Sequence, residues 1–138
     1  MGLRFVNAFS REQLGLAGRR WNDLLQPPYL GVLDEDEIDE ESVVKCSVDV
    51  ERKLDALAAL KLHAGPGFVQ RNIRNGNRVQ QVQEKEVRFI FDQDVYSTSK
   101  VKVPAVAETL NTLHAHADSV FSDAITTVLH DAMEPEYL

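Results

Sequence analysis

Residues 105–133 follow Pro104 without a further proline or a glycine. Apolar side chains recur there at Val106, Leu110, Leu113, Ala117, Phe121, Ala124, Val128 and Ala132, in steps of three and four. That is the period of one helical face. Pro104 suits a first helical position, where its missing N–H would have no partner. The pattern predicts a single helix over 104–133, roughly 40 Å long at about 1.5 Å per residue. A compact chain of this length is only about 35 Å across. Such a helix must bend, break or reach past its own domain. A homo-oligomer, most simply a dimer, is therefore expected, with Leu113, Val120, Ile125 and Leu129 at its interface.

The 138 residues suit one domain, 1–138, large enough to bury a core without staples. A lone cysteine, Cys46, excludes an intrachain disulfide and points to a reducing compartment. The first residues lack the charged-then-apolar run of a signal peptide, and no apolar stretch is long enough to span a bilayer. A cytoplasmic protein with no membrane partner is expected. The net charge of −7 is local: residues 34–41 hold seven acids and no base. Without those seven of the twenty-two acids, fifteen remain against fifteen Lys and Arg. This balance sets nucleic acid aside as a partner, because phosphate affinity comes from clustered Lys and Arg. The acidic segment reads as a solvated surface loop or frayed helix, or as a patch for a basic protein partner.

Strand patterns occupy most of the remainder. Residues 3–9 alternate, with Leu3, Phe5 and Phe9 on one side. Residues 10–33 read as polar and irregular, with a short helix near Trp21. Val44, Cys46, Val48 and Val50 face one way and Lys45, Ser47, Asp49 and Glu51 the other. Ala58, Leu60, Leu62 and Ala64 repeat the pattern until Gly65-Pro66-Gly67 ends the strand or inserts a bulge. Asn75-Gly76 predicts a type I′ hairpin, and its polar flanks predict that the hairpin projects from the core. In the last strand Val87, Phe89, Phe91 and Val95 point inward, with Arg88, Ile90, Asp92, Asp94 and Tyr96 outward. The expected fold is α+β: a two-layer sandwich of about four mainly antiparallel strands, with the long helix on one face.

Three patches resemble a sporadically distributed, uncharacterised prokaryotic family. They are Gly2-Leu3-Arg4-Phe5-Val6-Asn7, Phe91-Asp92-Gln93-Asp94-Val95-Tyr96, and the pair Leu110-Asn111-Thr112-Leu113-His114 and Phe121-Ser122-Asp123-Ala124-Ile125-Thr126. They run in order from residue 2 to about 134. The chain resembles the C-terminal half of longer members. The resemblance implies this architecture and no activity. It also implies that a partner or second copy covers surface that another half would cover.

Chemistry is sparse. His114 and His116 lie about 200° apart on a helix and cannot share a metal on one face. His130 lies further along, and no His or Cys motif of metal-ligand spacing occurs, so neither metal nor cofactor is expected. A calcium loop starting at Asp34 would need glycine where Asp39 stands. Cys46 lies in an apolar alternation and reads as a small core residue rather than a nucleophile. Gly65-Pro66-Gly67 has neither phosphate-loop spacing. Polar groups converge only on the outward sheet face, where Lys61, His63, Arg88, Asp92, Asp94 and Tyr96 form the candidate ligand-binding set. A histidine beside a carboxylate can act as a general base; the plainer alternative is a solvated face of opposite-charge pairs. Two functions follow: a non-catalytic, self-associating interaction domain with no catalytic residue, or a small-molecule binder or enzyme using that face. An enclosed pocket over the face marks the second, and a flat, wet face the first.

Overall fold

The alternating patterns build a sheet whose faces differ in chemistry. The computed structural model describes residues 1–133. Its strands are β1 (Gly2–Phe9), β2 (Val48–Lys53), β3 (Ala58–Gly67), β4 (Gln70–Asn75), β5 (Arg78–Gln83) and β6 (Arg88–Ser97). Four of them form one antiparallel sheet in the order β1-β6-β3-β2, while β4 and β5 form a separate two-stranded ribbon. Helices α1 (Val106–Ala124) and α2 (Thr127–Met133) are the last elements of the described residues. The α+β reading is correct: the helices and the irregular segment 10–33 cover one sheet face and leave the other open.

Inward side chains of the sheet meet that covering layer. Phe9 stacks on Phe121 with ring centroids 5.9 Å apart, and Phe91 meets the same ring edge-on at 6.0 Å. Trp21 packs on Phe89 at 5.5 Å and Tyr29 on Phe91 at 5.5 Å. The stretch 10–33 is thus less polar in its role than its composition suggests: Trp21, Leu24, Leu25, Leu30 and Leu33 are all buried. Gln93 occupies an inward slot of β6, where its Nε2 donates to the carbonyl of Ala117 in α1 at 3.3 Å.

The single rod over 104–133 does not form. Residues 103–105 make a 3₁₀ turn, α1 ends at Ala124, and Ile125 is extended (φ −96°, ψ 152°). The reason is a competing set of backbone partners. Ile125 bridges to Leu25, Thr126 N donates to Leu24 O at 2.9 Å, and Gln26 N donates to Ala124 O at 2.8 Å. Thr126 then starts α2, its Oγ1 accepting from Leu129 N at 3.4 Å and donating to Asp23 O at 2.6 Å. The nineteen residues of α1 span about 28 Å, which one domain accommodates. Leu113, Val120, Ile125 and Leu129, expected at an oligomer interface, lie in the chain's own core, none more than 7% exposed. They cannot serve that interface.

Smaller corrections share a cause: neighbours, not periodicity, set where a strand starts. The second strand begins at Val48 rather than Val44, which is 100% exposed because no strand lies beside it. Val87 precedes β6 and is exposed as well. β3 runs on through Gly65-Pro66-Gly67, paired with β6 there but already past the end of β2, so the absent Pro66 N–H costs no ladder bond on that side. The hairpin forms one residue out of the expected frame. Asn75 pairs with Arg78, so Gly76 and Asn77 are the central residues, and only Gly76 has positive φ (66°). Positive φ at the first central position alone belongs to type II′ rather than I′.

The acidic segment is anchored rather than frayed. Arg20 donates to the carbonyls of Glu35 and Ile38 at 3.3 and 2.9 Å, Asn22 donates to Asp36 at 2.6 Å, and Arg11 pairs with Glu40 at 2.5 Å. Among the described residues, no helix is long and apolar enough to cross a membrane.

Candidate functional site

The open face reads as two rows across the strands. Arg4, Asp94, Lys61 and Glu51 lie in register from β1 to β2, and Val6, Asp92, His63 and Asp49 form the adjacent row. Sign alternates along the first row, which suits cross-strand pairs. Together the rows, Val6 apart, line a trough of about 650 Å³ that is open to water.

Four of the six candidate residues, Lys61, His63, Asp92 and Asp94, line this trough. Tyr96 lies on the same face one row further on, its hydroxyl 3.3 Å from Glu51 Oε1. Arg88 does not join them. It sits opposite Gly67 near the far end of β6 and pairs with Glu84 at 3.0 Å. Arg4, Asp49 and Glu51 complete the trough and escaped the sequence reading. Each was legible as outward-facing, but which strands are neighbours was not, so their convergence could not be seen.

Arg4 reaches diagonally to Asp92 with two parallel bonds, Nε to Oδ1 at 3.1 Å and Nη2 to Oδ2 at 2.8 Å. This fork holds the Asp92 carboxyl below its ordinary range, and Asp92 in turn raises Arg4. His63 Nδ1 lies 2.6 Å from Asp49 Oδ1 with both side chains largely in water. Lys61 is 4.0 Å from Glu51. Asp92 and Glu51 are thus each met by a cationic side chain, and among the described residues no Ser, Thr or Cys lines the trough. Among the described residues, no group of His, Cys, Asp or Glu is arranged to hold a metal ion.

His116 and His114 lie away from the trough, against the scaffold. Asp55 accepts from the backbone N–H of Leu57 and Ala58 at 2.7 and 2.8 Å and lies 2.6 Å from His116 Nε2, tying the β2–β3 turn to α1. Those bonds, the Leu57 one foremost, lower the Asp55 carboxyl. His114 pairs with Asp118 at 3.2 Å on the same helix, and its ring meets Phe5 edge-on.

Asp92 makes the Arg4 pair testable by pH. Its folded carboxyl is the stronger acid, so its contribution is complete well above the unfolded value of about 3.9 and is lost as pH falls through the lower folded value. Urea unfolding of wild type and Arg4→Gln is expected to show a stability gap near neutral pH that closes in strong acid. A gap that stays constant would mean the pair contributes nothing.

Comparison of the chain with protein-family models, curated proteins and solved structures finds no match.

Proposed function

We propose that this chain is a non-catalytic protein-interaction domain that pairs with a second copy through the outer edge of β1. The observation that carries this reading is the contrast between the two sheet edges. In β2 four of six residues are charged: Asp49, Glu51, Arg52 and Lys53. Such charges discourage a further strand. β1 has eight residues with Arg4 as its sole charge, and Val6 at its middle is 55% exposed. No described strand pairs with its outer side. Antiparallel pairing centred on Val6 would set the two valines side by side, keep the two Arg4 side chains apart, and extend the sheet across both copies.

The small-molecule reading has one observation behind it, the convergence of charged groups in the trough. Its openness to water and the mutual neutralisation of Arg4 and Asp92 weigh against catalysis, which needs a water-excluded, preorganised site. The family resemblance brings no activity and leaves this choice unchanged. A reducing, cytoplasmic setting is part of the proposal and rests on the lone thiol of Cys46.

Sedimentation velocity over a micromolar concentration series is expected to give twice the chain mass for wild type. Val6→Lys opposes like charges across the dyad. At about 1 kcal/mol it should weaken association roughly fivefold, without loss of fold by circular dichroism. A wild-type chain that sediments as a monomer throughout contradicts the proposal.

A further inference from the structure

The charge balance that set nucleic acid aside is an average over the chain, and folding separates its parts. Residues 70–83 contain three arginines, seven Asn or Gln and no acid. They form the β4–β5 ribbon, which stands outside the four-stranded sheet, and every residue of β4 and all of β5 but Val82 is exposed. A two-stranded ribbon gains little from its own packing. Its polar surface therefore needs another explanation than stability.

Register sorts that surface into two faces. Cross-strand pairs Gln70–Gln83, Asn72–Gln81 and Arg74–Val79 occupy one, and Arg71–Val82, Ile73–Gln80 and Asn75–Arg78 the other. One face is thus a ladder of carboxamides with an arginine near the turn. Arg71 pairs with Glu84 at 3.1 Å, whereas Arg74 and Arg78, beside the turn, make no ion pair among the described residues. These are the side chains that read base edges: Arg bonds both acceptors of guanine, and Asn or Gln bonds adenine in the same two-pronged way. A B-DNA major groove, about 12 Å wide, admits a two-stranded ribbon.

The acidic segment does not cancel the arm. Glu40 and Glu41 line a recess with Pro66 and Val87, at the base of the ribbon. Gly76 at the turn is ten residues beyond Pro66, up to about 30 Å away at ~3.3 Å per residue. Screening at physiological salt acts over about 8 Å. β4 alone rises about 17 Å from Gln70 to Asn75 at ~3.3 Å per residue, so the tip lies beyond that range of the ribbon's own base.

We infer that the β4–β5 ribbon is a DNA-binding arm that enters the major groove of duplex DNA, with the carboxamide face and Arg74 toward the bases and Arg78, on the opposite face beside the turn, reaching a phosphate. This goes beyond the interaction domain proposed above and does not depend on it, although a dimer would carry two such arms. With two or three phosphate-neutralising arginines, the log–log salt slope should be about −2 to −3. Binding to mixed sequence should fall in the weak, non-specific range of about 10⁻⁴–10⁻⁶ M.

The test is fluorescence anisotropy with the full chain and a fluorescein-labelled random duplex of about two helical turns, in low and physiological salt. Arg74→Gln/Arg78→Gln is expected to lower affinity at least about tenfold in low salt and to reduce the slope by about two. Lys102→Gln, which removes one charge elsewhere, should leave affinity within about twofold. Circular dichroism confirms that each variant is folded. No binding of wild type in low salt overturns the inference, as does binding that the arginine pair does not affect. Tighter binding of a single-stranded RNA of the same sequence overturns the duplex assignment. The mass of the same samples separates this result from the edge-pairing proposal: a monomer that binds DNA contradicts only the latter, and a dimer that does not bind contradicts only the arm.

Discussion

Trp21→Ala is expected to lower the unfolding free energy by about 3–5 kcal/mol, more than any other single truncation in the chain. The indole is buried against Phe89 on the central strand β6. Arg11 lies over the ring with its guanidinium carbon 3.8 Å from the centroid, and the backbone N–H of Trp21 donates to Glu40 Oε2 at 3.0 Å. Removing the ring therefore opens a cavity and also loosens the Arg11–Glu40 pair that holds the acidic segment to the core. Domains have only about 5–15 kcal/mol in total, so this is a large fraction. Urea unfolding should show a lower midpoint with an unchanged slope. A loss below about 1 kcal/mol would mean that Trp21 is not the anchor of the covering layer.

Gly65→Ala should come second, at about 3 kcal/mol, the upper end of the range for overpacking. A methyl at Gly65 would overlap the carbonyl oxygen of Cys46 and lie 3.1 Å from Ser47 Cα. Both belong to the backbone leading into β2, which cannot yield without shifting the edge of the sheet. Gly67→Ala is the matched control. Its methyl would meet Ile90 Cδ1 at 2.7 Å, the end of a side chain that can rotate away. Thermal unfolding of both variants should show a clear drop for the first and a small one for the second. Equal effects would mean that the close approach of residues 46–47 to β3 is not a fixed feature of the fold.

Period-two alternation made the strands legible, because Leu60, Leu62, Phe89 and Phe91 must all turn to one side for any half-buried sheet. The apolar face of α1 was legible for the same reason. What could not be read was anything decided by a distant partner. The helix stops at Ile125 because Leu24 and Gln26, about a hundred residues earlier, offer it backbone bonds. Ile125-Thr126-Thr127 is a β-branched run with a good N-cap inside it, which is the local sign of the break. Residues 10–33 gave no periodic signal because their leucines serve 3₁₀ turns, whose side chains follow no long repeat. On the open face, alternation alone tells which side each charged residue takes, but the trough depends on β1 lying next to β6. Strand order is a long-range fact, and it alone brings Arg4 to Asp92.

The same long-range order leaves β1 at an edge, and the proposed function stands on what happens there. Hydrogen exchange of the β1 amides across a concentration series tests this most directly, with the β2 amides as an internal reference. The outward-pointing β1 amides are expected to become protected as concentration rises, while the outer amides of the charged β2 edge do not change. Protection at β1 that is the same at every concentration would contradict pairing through this edge.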